Sequence, residues 1–457
     1  MKHPTNHGKI SASLIFVLLL GPICLWPVTN VDPQMKPEEV ICWDVISYYA
    51  YLPAVFVEHD YTLSFVPTDT NYYQHYWPEY TEDGHCVIKT TMGLSLLYAP
   101  FFLTAHLLAE PLGFVADGYS PPYALSLIIA AIVYVVLGCA LLRKVLLKYF
   151  NETVTTLTLA VITLVTNLFY QTTLGTPMSH SFNFALFCAF VFLTERWYEK
   201  PSWKWTVLLG LLLGLIALIR PSNCIIILYF LCYGITGKQE LQTQWKRMLH
   251  AFPHLLVMAL MAVVVWIPQM AYWKSLTGHL FFYSYGGDER FFWGAPKIIK
   301  GLFGFRKGWL VYTPVMIFSL LGFIPLYRHQ RKFFWPILIF TLLNIYIIFS
   351  WWCWWYGGCF GMRTMIDSYA LLAIPLASYI AWMLRRKKKA KIALVTLFML
   401  VAALNSFHTV QYHYHAIHYE AMSAKSYWDS FLRVRPSSNF SDLLEWPDYD
   451  AARLGNR

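Results

Sequence analysis

Pro122-Tyr-Ala-Leu-Ser-Leu-Ile-Ile-Ala-Ala-Ile-Val-Tyr-Val-Val-Leu-Gly-Cys-Ala-Leu-Leu142 contains no charged residue and is followed at once by Arg143-Lys144. A helix of about 20 apolar residues matches the hydrocarbon thickness of a bilayer, and a basic pair just beyond it marks the cytoplasmic side. Runs of the same character occupy 10–29, 153–171, 180–197, 204–219, 222–236, 250–272, 308–327, 333–350, 365–384 and 391–409. The expected fold is therefore an all-α polytopic membrane protein with about 11 transmembrane helices.

A further run, 93–109, is shorter, holds Pro100 and His106, and stops at Glu110-Pro111. Parity decides its reading. If it does not cross, the clusters Arg143/Lys144/Lys148, Arg196/Lys200/Lys204, Lys238/Lys246/Arg247, Arg328/Arg331/Lys332 and Arg385–Lys391 all fall on the N-terminal side. If it crosses, every one of them moves to the other face. The positive-inside bias thus predicts a re-entrant or surface segment there, with the N-terminus inside. The apolar run Leu14–Trp26 behind Lys2 and Lys9 then reads as an uncleaved first span. The outward regions are a long first loop (30–121), the loops 273–307 and 351–364, the short turns 171–179 and 220–223, and a tail over 410–457.

Composition agrees. Of 457 residues, 57% are apolar and only 13% charged, with a mean hydropathy of +0.45; a soluble chain carries roughly 25% charged residues. The net charge of +10 is explained by cytoplasmic loops and not by a nucleic-acid partner. Nine cysteines lack metal-site spacing: Cys24, Cys139, Cys188, Cys224 and Cys232 lie in apolar runs as small core residues, whereas Cys42 with Cys86, or Cys353 with Cys359, could pair if they face an oxidising compartment.

Candidate chemistry gathers at the outer side. In Ile41-Cys-Trp-Asp-Val-Ile-Ser-Tyr-Tyr-Ala-Tyr-Leu-Pro53, Asp44, Tyr48, Tyr51 and Val55 share one helical face, and Pro53 kinks or restarts the helix. Asp44 has a catalytic or substrate-binding role, or else is a helix cap; Tyr48 and Tyr49 follow it. Glu58-His59-Asp60 reads as a solvated loop end, and Tyr72-Tyr73-Gln-His75-Tyr76-Trp77 as an interfacial belt or a sugar-stacking surface. Arg220 ends an apolar span at an outer turn, against the charge bias, and a guanidinium there suits a phosphate; the alternative is a snorkelling anchor. His180 opens a span in Met-Ser-His-Ser181 and could donate to a phosphate or sugar hydroxyl, or do nothing. In Trp351-Trp-Cys-Trp-Trp-Tyr-Gly-Gly-Cys-Phe-Gly-Met-Arg363 the tryptophans suit an aromatic belt, but Gly357, Gly358 and Gly361 suit an anion-cradling loop ending in Arg363, a ligand for a lipid phosphate; Arg363 and Asp367, four apart, could form an ion pair. Asp288-Glu289-Arg290 and the tail histidines His408, His413, His415 and His418 are assigned no site.

One acid after the first span, Tyr-Tyr, a Met-Ser-His turn, Leu-Ile-Arg-Pro-Ser-Asn223 and Trp-Tyr-Gly-Gly-x-x-Gly-x-Arg363 together resemble the GT-C superfamily of lipid-phosphate-dependent glycosyltransferases, nearest to bacterial relatives of protein mannosyltransferases and aminoarabinose transferases. The resemblance covers about 30–410. It implies a transmembrane glycosyltransferase-like domain over 1–409 and an extracytoplasmic tail over 410–457, in a multi-pass protein of the inner (cytoplasmic) membrane and cell envelope. The implied partners are a polyprenyl-phosphate-linked sugar donor, a glycan, lipid or protein acceptor, and the bilayer. Transfer would invert the anomeric carbon, with Asp44 catalytic and Tyr48, Tyr49, His180, Arg220 and Arg363 binding substrate. Val45 follows Asp44, so the Asp-Glu pair of protein mannosyltransferases is missing, which weakens a protein acceptor; no Asp-x-Asp stands in the first loop, so neither metal nor cofactor is implied. The competing class is a transporter or flippase of a lipid-linked glycan, whose site would sit near the midplane with intramembrane charges; few ionisable residues occur within these spans.

Overall fold

The computed structural model describes residues 11–30, 36–66, 75–81 and 83–456; Lys2, Lys9, Tyr72 and Tyr73 lie outside the described residues. Helices dominate. α1 (Ala12–Asn30), α2 (Asp44–Tyr49), α3 (Gly93–Ala109) and α4 (Pro121–Leu146) are followed by α5 (Glu152–Ala160), α6 (Asn167–Thr173), α7 (Ser179–Glu199) and α8 (Trp203–Ile219). Then come α9 (Ile227–Cys232), α10 (Lys238–His250), α11 (Phe252–Thr277), α12 (Phe334–Ser350), α13 (Tyr369–Leu384) and α14 (Lys388–His413). The described residues include one two-stranded antiparallel sheet, β1 (Pro78–Tyr80) with β2 (Cys86–Ile88), Glu79 opposite Val87.

Seven helical segments among the described residues are long and apolar enough to cross a membrane, and eight if the bent pair Glu152–Val165 and Asn167–Thr173, which turn 61° at Thr166, counts as one. The chain is a multi-pass membrane protein. The remaining stretches expected to span are helical but short, broken or polar at their ends. α7 carries Ser179, His180 and Asn183 at one end and Glu195, Arg196 and Glu199 at the other; α8 has 17 residues; residues 309–329 divide into Trp309–Tyr312, Pro314–Met316, Ile317–Leu321 and Phe323–His329.

Contacts fix two ends for the bundle. At one, the Arg143 Nε donates to Ser13 Oγ at 2.7 Å while Ser13 Oγ donates to Glu152, tying α1, α4 and α5 together; nearby, Lys148 meets the buried Glu195 at 2.9 Å. At the other end α8 stops early. Gly210 and Gly214 press on Met258 and Ala262 of the parallel α11, so Ile219 lies level with about Ile267 and α11 rises roughly 15 Å further, at 1.5 Å per residue. α4 likewise overtops the start of α7, since Tyr134 packs on Phe182, ring centroids 5.2 Å apart. α3 fills this upper tier. It begins against Ile219, where a Cβ on Gly93 would come within 2.7 Å of the backbone nitrogen, and runs antiparallel to the upper half of α4, with Tyr134 Oη donating to Leu97 O and His106 Nδ1 2.6 Å from Tyr123 Oη. By length and composition Gly93–Leu112 is one of the seven apolar segments; its contacts nonetheless run from the top of α8 upward. The result is a recess at the level of Arg220, walled by taller helices.

All nine cysteines are free thiols, so neither Cys42 with Cys86 nor Cys353 with Cys359 is joined; Cys353 and Cys359 are buried, where thiols behave as small apolar groups. Cys224 is exposed and Cys232 half-buried rather than in the core, because the 3₁₀ turn Pro221–Ile226 and α9 turn those positions outward. Asp60 accepts from the backbone N–H groups of Thr62 and Ser64, the local capping expected of a loop end.

Candidate functional site

The floor of the recess is a layer of mostly buried polar groups, Asp44 half-exposed among them, contributed by four elements. α8 ends at Arg220 because Pro221 follows, and a residue before proline is pushed out of the helical region; Arg220 has φ −145° and ψ 103°. α7 opens with His180 and Asn183, three apart and so on one face. The chain enters α13 through a 3₁₀ turn, Arg363–Ser368. α2 begins at Asp44 as its first residue, with Trp43 at the cap.

The start of α7, the turn that follows α8 and the turn entering α13 meet at Asp367. Its Oδ1 is 2.8 Å from His180 Nδ1, and its Oδ2 accepts from Asn223 at 2.7 Å and Asn183 at 3.2 Å. Arg220 Nη1 lies 3.2 Å from His180 Nε2 and 3.3 Å from its Nδ1. A neutral imidazole with its proton on Nδ1 donates to Asp367 and leaves Nε2 as the ring atom that can accept from Arg220. The carboxylate thus holds the imidazole, and the imidazole holds the guanidinium. Arg220 also lies over the Tyr356 ring, 5.8 Å from its centroid.

The Arg363–Asp367 ion pair that the four-residue spacing allowed does not form. Side chains four apart align on an α-helix, but in a 3₁₀ turn of three residues they diverge by about 120°. Arg363 turns instead to Asp44: Nη2 donates to Oδ2 at 3.0 Å. The Asp44 side chain is 47% exposed and that of Arg363 13%. Arg363 Nε is buried without a hydrogen-bond partner. Tyr48, one turn beyond Asp44, is buried beside all three charged groups. Burial pushes its phenol up, Arg220 and Arg363 pull it down, and Asp44 pushes it up.

The Trp-rich loop shapes the wall above. Gly357 and Gly361 have φ of 66° and 58°, and Tyr356 holds 58° despite its side chain, a conformation that costs a non-glycine residue roughly 1 kcal/mol or more. Tyr356 Oη donates to Ile348 O at 3.0 Å, which keeps its ring beneath Arg220. Gly358 serves a different purpose from anion cradling: an added Cβ would lie 2.9 Å from the Tyr419 ring, so its smallness admits the tail.

Of the residues singled out from sequence, Asp44, Tyr48, Arg220 and Arg363 converge. His180 joins them one layer down, 1% exposed and turned to Asp367 and Arg220 rather than to the recess. Tyr49 does not join; it is fully buried, donates to Gly118 O and packs edge-on against Phe102 and Tyr119. Tyr51 turns away to donate to Thr90 O, so the shared face of Asp44 and Tyr48 ends after one turn. Sequence reasoning missed Asn183 and the hub role of Asp367; the Ser-His-Ser-x-Asn spacing within α7 is the signal for Asn183. It also missed the tail, whose Glu420 accepts from Trp355 Nε1 at 3.1 Å and from Tyr449 Oη.

No family model matches the chain, and no curated protein matches it. Among solved structures, the Archaeoglobus fulgidus oligosaccharyltransferase in complex with Zn and sulfate aligns with 96% of this chain at 14% identity and a TM-score of 0.44. The chain spans 59% of that structure's length. A likeness this distant carries no inference about the site.

Proposed function

We propose that the chain is a membrane glycosyltransferase of GT-C type, moving a sugar from a polyprenyl-phosphate donor to an acceptor hydroxyl with inversion. The observation that carries this reading is a half-exposed carboxylate, Asp44, bonded to the guanidinium of Arg363, with Arg220 alongside. A phosphate oxygen is the ligand such a fork accepts. As the acceptor oxygen forms its bond to the anomeric carbon, its proton passes to Asp44. The bond from that carbon to the phosphate oxygen breaks on the opposite face, its electron pair leaving with the phosphate. Arg363 and Arg220 balance the charge that grows there.

The reading of eleven spans draws support from α3, which rises beside the upper tier instead of running the full length of α4. With that count the basic clusters share one side and the recess faces away from it, at the extracytoplasmic surface. Purified Asp44→Asn should lose transfer by about 10²–10⁴-fold, the usual contribution of general-base help, while still binding a polyprenyl-phosphate sugar. Near wild-type transfer by that variant would remove Asp44 from the mechanism.

A further inference from the structure

At the end of the bundle opposite the recess, α13 gives way to Arg385-Arg386-Lys387-Lys388-Lys389-Ala390-Lys391, six cations in seven positions, with α14 beginning at Lys388. The 16 residues of α13 separate this turn from the Asp367 layer by about 24 Å, at 1.5 Å per residue. Orientation in the bilayer does not ask for so many charges, since the clusters at 143–148, 196–204, 238–247 and 328–332 carry three each. Nor do they stabilise the helix they open. The first turn of α14 contains no acid and no side-chain cap, and the positive end of the helix dipole disfavours Lys388 and Lys389 there. The charge also goes unmet. Between Glu289 and Glu420 the sequence holds a single acid, Asp367, at the far end of α13. At the basic end, Glu152, Glu195 and Glu199 are already taken by Arg143, Lys148 and Arg196. Among the described residues none of the six cations forms an ion pair, nor do the exposed Arg328 and Arg331 of the adjacent connection.

Part of this charge is held in place at a cleft between helix ends. Arg385 and Arg386 line a notch of about 60 Å³ together with Trp382, Tyr149 and His329. The Arg386 guanidinium lies over the Trp382 ring, 4.4 Å from its centroid, and its Nε donates to Trp382 O at 3.3 Å. Arg331 is fixed in the same manner, 4.3 Å from the centroid of the Tyr327 ring. Directly along the chain from the cations, α14 turns an apolar surface outward, with Ile392, Leu397, Met399 and Leu400 each at least half exposed. A free phosphate ion uses only the cations; a phospholipid uses the cations and the apolar helix beside them. Basic pockets between transmembrane helices at the cytoplasmic side suit anionic headgroups, and guanidiniums suit phosphodiester oxygens. We infer that this cleft seats the phosphate of an anionic phospholipid. Arg385 and Arg386 donate to its oxygens, Lys387, Lys388 and Lys389 supply the surrounding field, and the acyl chains lie along α14. The inference stands apart from the transferase reading, because none of these residues touches the recess.

The test is native mass spectrometry of the full chain in a non-ionic detergent, titrated with dioleoyl phosphatidylglycerol, tetraoleoyl cardiolipin and dioleoyl phosphatidylcholine. Both anionic lipids should bind at least about tenfold more tightly than phosphatidylcholine, equivalent to about 1.4 kcal/mol. The variant Arg385→Gln/Arg386→Gln/Lys388→Gln/Lys389→Gln should erase that preference. The control Lys200→Gln/Lys204→Gln/Lys238→Gln/Lys246→Gln removes the same charge from other connections at this end and should keep it. All eight positions are exposed, so both proteins should melt near wild type. Should the first variant disturb α14, Arg385→Gln/Arg386→Gln alone should still lose most of the preference. Equal binding of all three lipids by the wild type overturns the assignment. So does a preference that survives both substitutions at the cleft, or one that falls equally in the control, which is diffuse attraction between charges. Inorganic phosphate should leave bound phosphatidylglycerol in place; displacement by it marks a site for the free anion and overturns the lipid assignment.

Discussion

Asp367 is 2% exposed and has no water to fall back on, so three side-chain donors meet its charge. Asp367→Asn would present an amide N–H₂ where His180, Asn183 and Asn223 all donate. Removing one partner from a buried ionic network costs about 3–5 kcal/mol, and His180 would no longer hold Arg220 in place. The variant should therefore unfold at lower temperature in a detergent melt and bind a polyprenyl-phosphate donor more weakly. Asp44→Asn, at an exposed position, should leave both quantities near wild type, so the pair separates framework from chemistry. Residue identity was legible at Asp44, Arg220 and Arg363 because charge is costly next to lipid and stands out against apolar runs. Partner choice was not: Asp44 and Arg363 are 319 positions apart, and the Arg363–Asp367 spacing pointed to the wrong pair because nothing local announced a 3₁₀ turn.

At the scale of elements, α8 packs closely on α11. Gly210 and Gly214 form a Gly-x-x-x-Gly stripe, and a Cβ on Gly214 would sit 2.6 Å from the Ala262 carbonyl oxygen. In lipid, small residues are what allow two backbones to approach and gain van der Waals contact. Gly214→Leu should force the helices apart at a cost of about 1–3 kcal/mol, the range for overpacking a close interface. Because α8 carries Arg220 at its tip, transfer should fall with stability, measured by a thermal melt and a transfer assay on the same preparation. Unchanged values in both would show that α8 and α11 do not set the height of Arg220. Hydropathy placed most of these helices, since the bilayer imposes a length on apolar runs. It did not reveal that 309–329 is broken, nor that α8 ends below its neighbours; both depend on prolines and glycines meeting other helices, which a one-dimensional apolar profile does not register.

Across the whole molecule, the segment after α14 packs onto the Trp-rich loop instead of trailing from the bundle. Ile417, Met422, Tyr427 and Phe440 bury themselves with Tyr312 and Phe360, giving the tail an apolar core shared with the Trp-rich loop. Lys307, buried, donates to the carbonyls of both Cys359 and Tyr419; the Cys359 N–H donates to Tyr419 O at 3.0 Å. Glu420 bridges Trp355 and Tyr449, and Arg453 lies over the Trp352 ring, 5.2 Å from its centroid. Composition had set residues 410–457 apart as a polar tail because docking of this kind is made by scattered aromatics with no period to read. The loop that ends in Arg363 is thus held from above by the tail and from below by Asp44. Deleting 414–457 strips Phe360 and Tyr312 of their cover, so that protein should aggregate and report little about the site. Glu420→Gln is the sharper probe: it keeps the shape, removes the charge that accepts from Trp355 and Tyr449, and leaves the apolar contacts in place. Its melting temperature should fall by a few degrees at most, about 1 kcal/mol for a weakened charge-assisted hydrogen bond. Its transfer rate should fall further than that loss of folded protein explains, because the Arg363 loop is no longer held at one height. If the rate instead tracks the folded fraction alone, the tail is packing material and does not position Arg363.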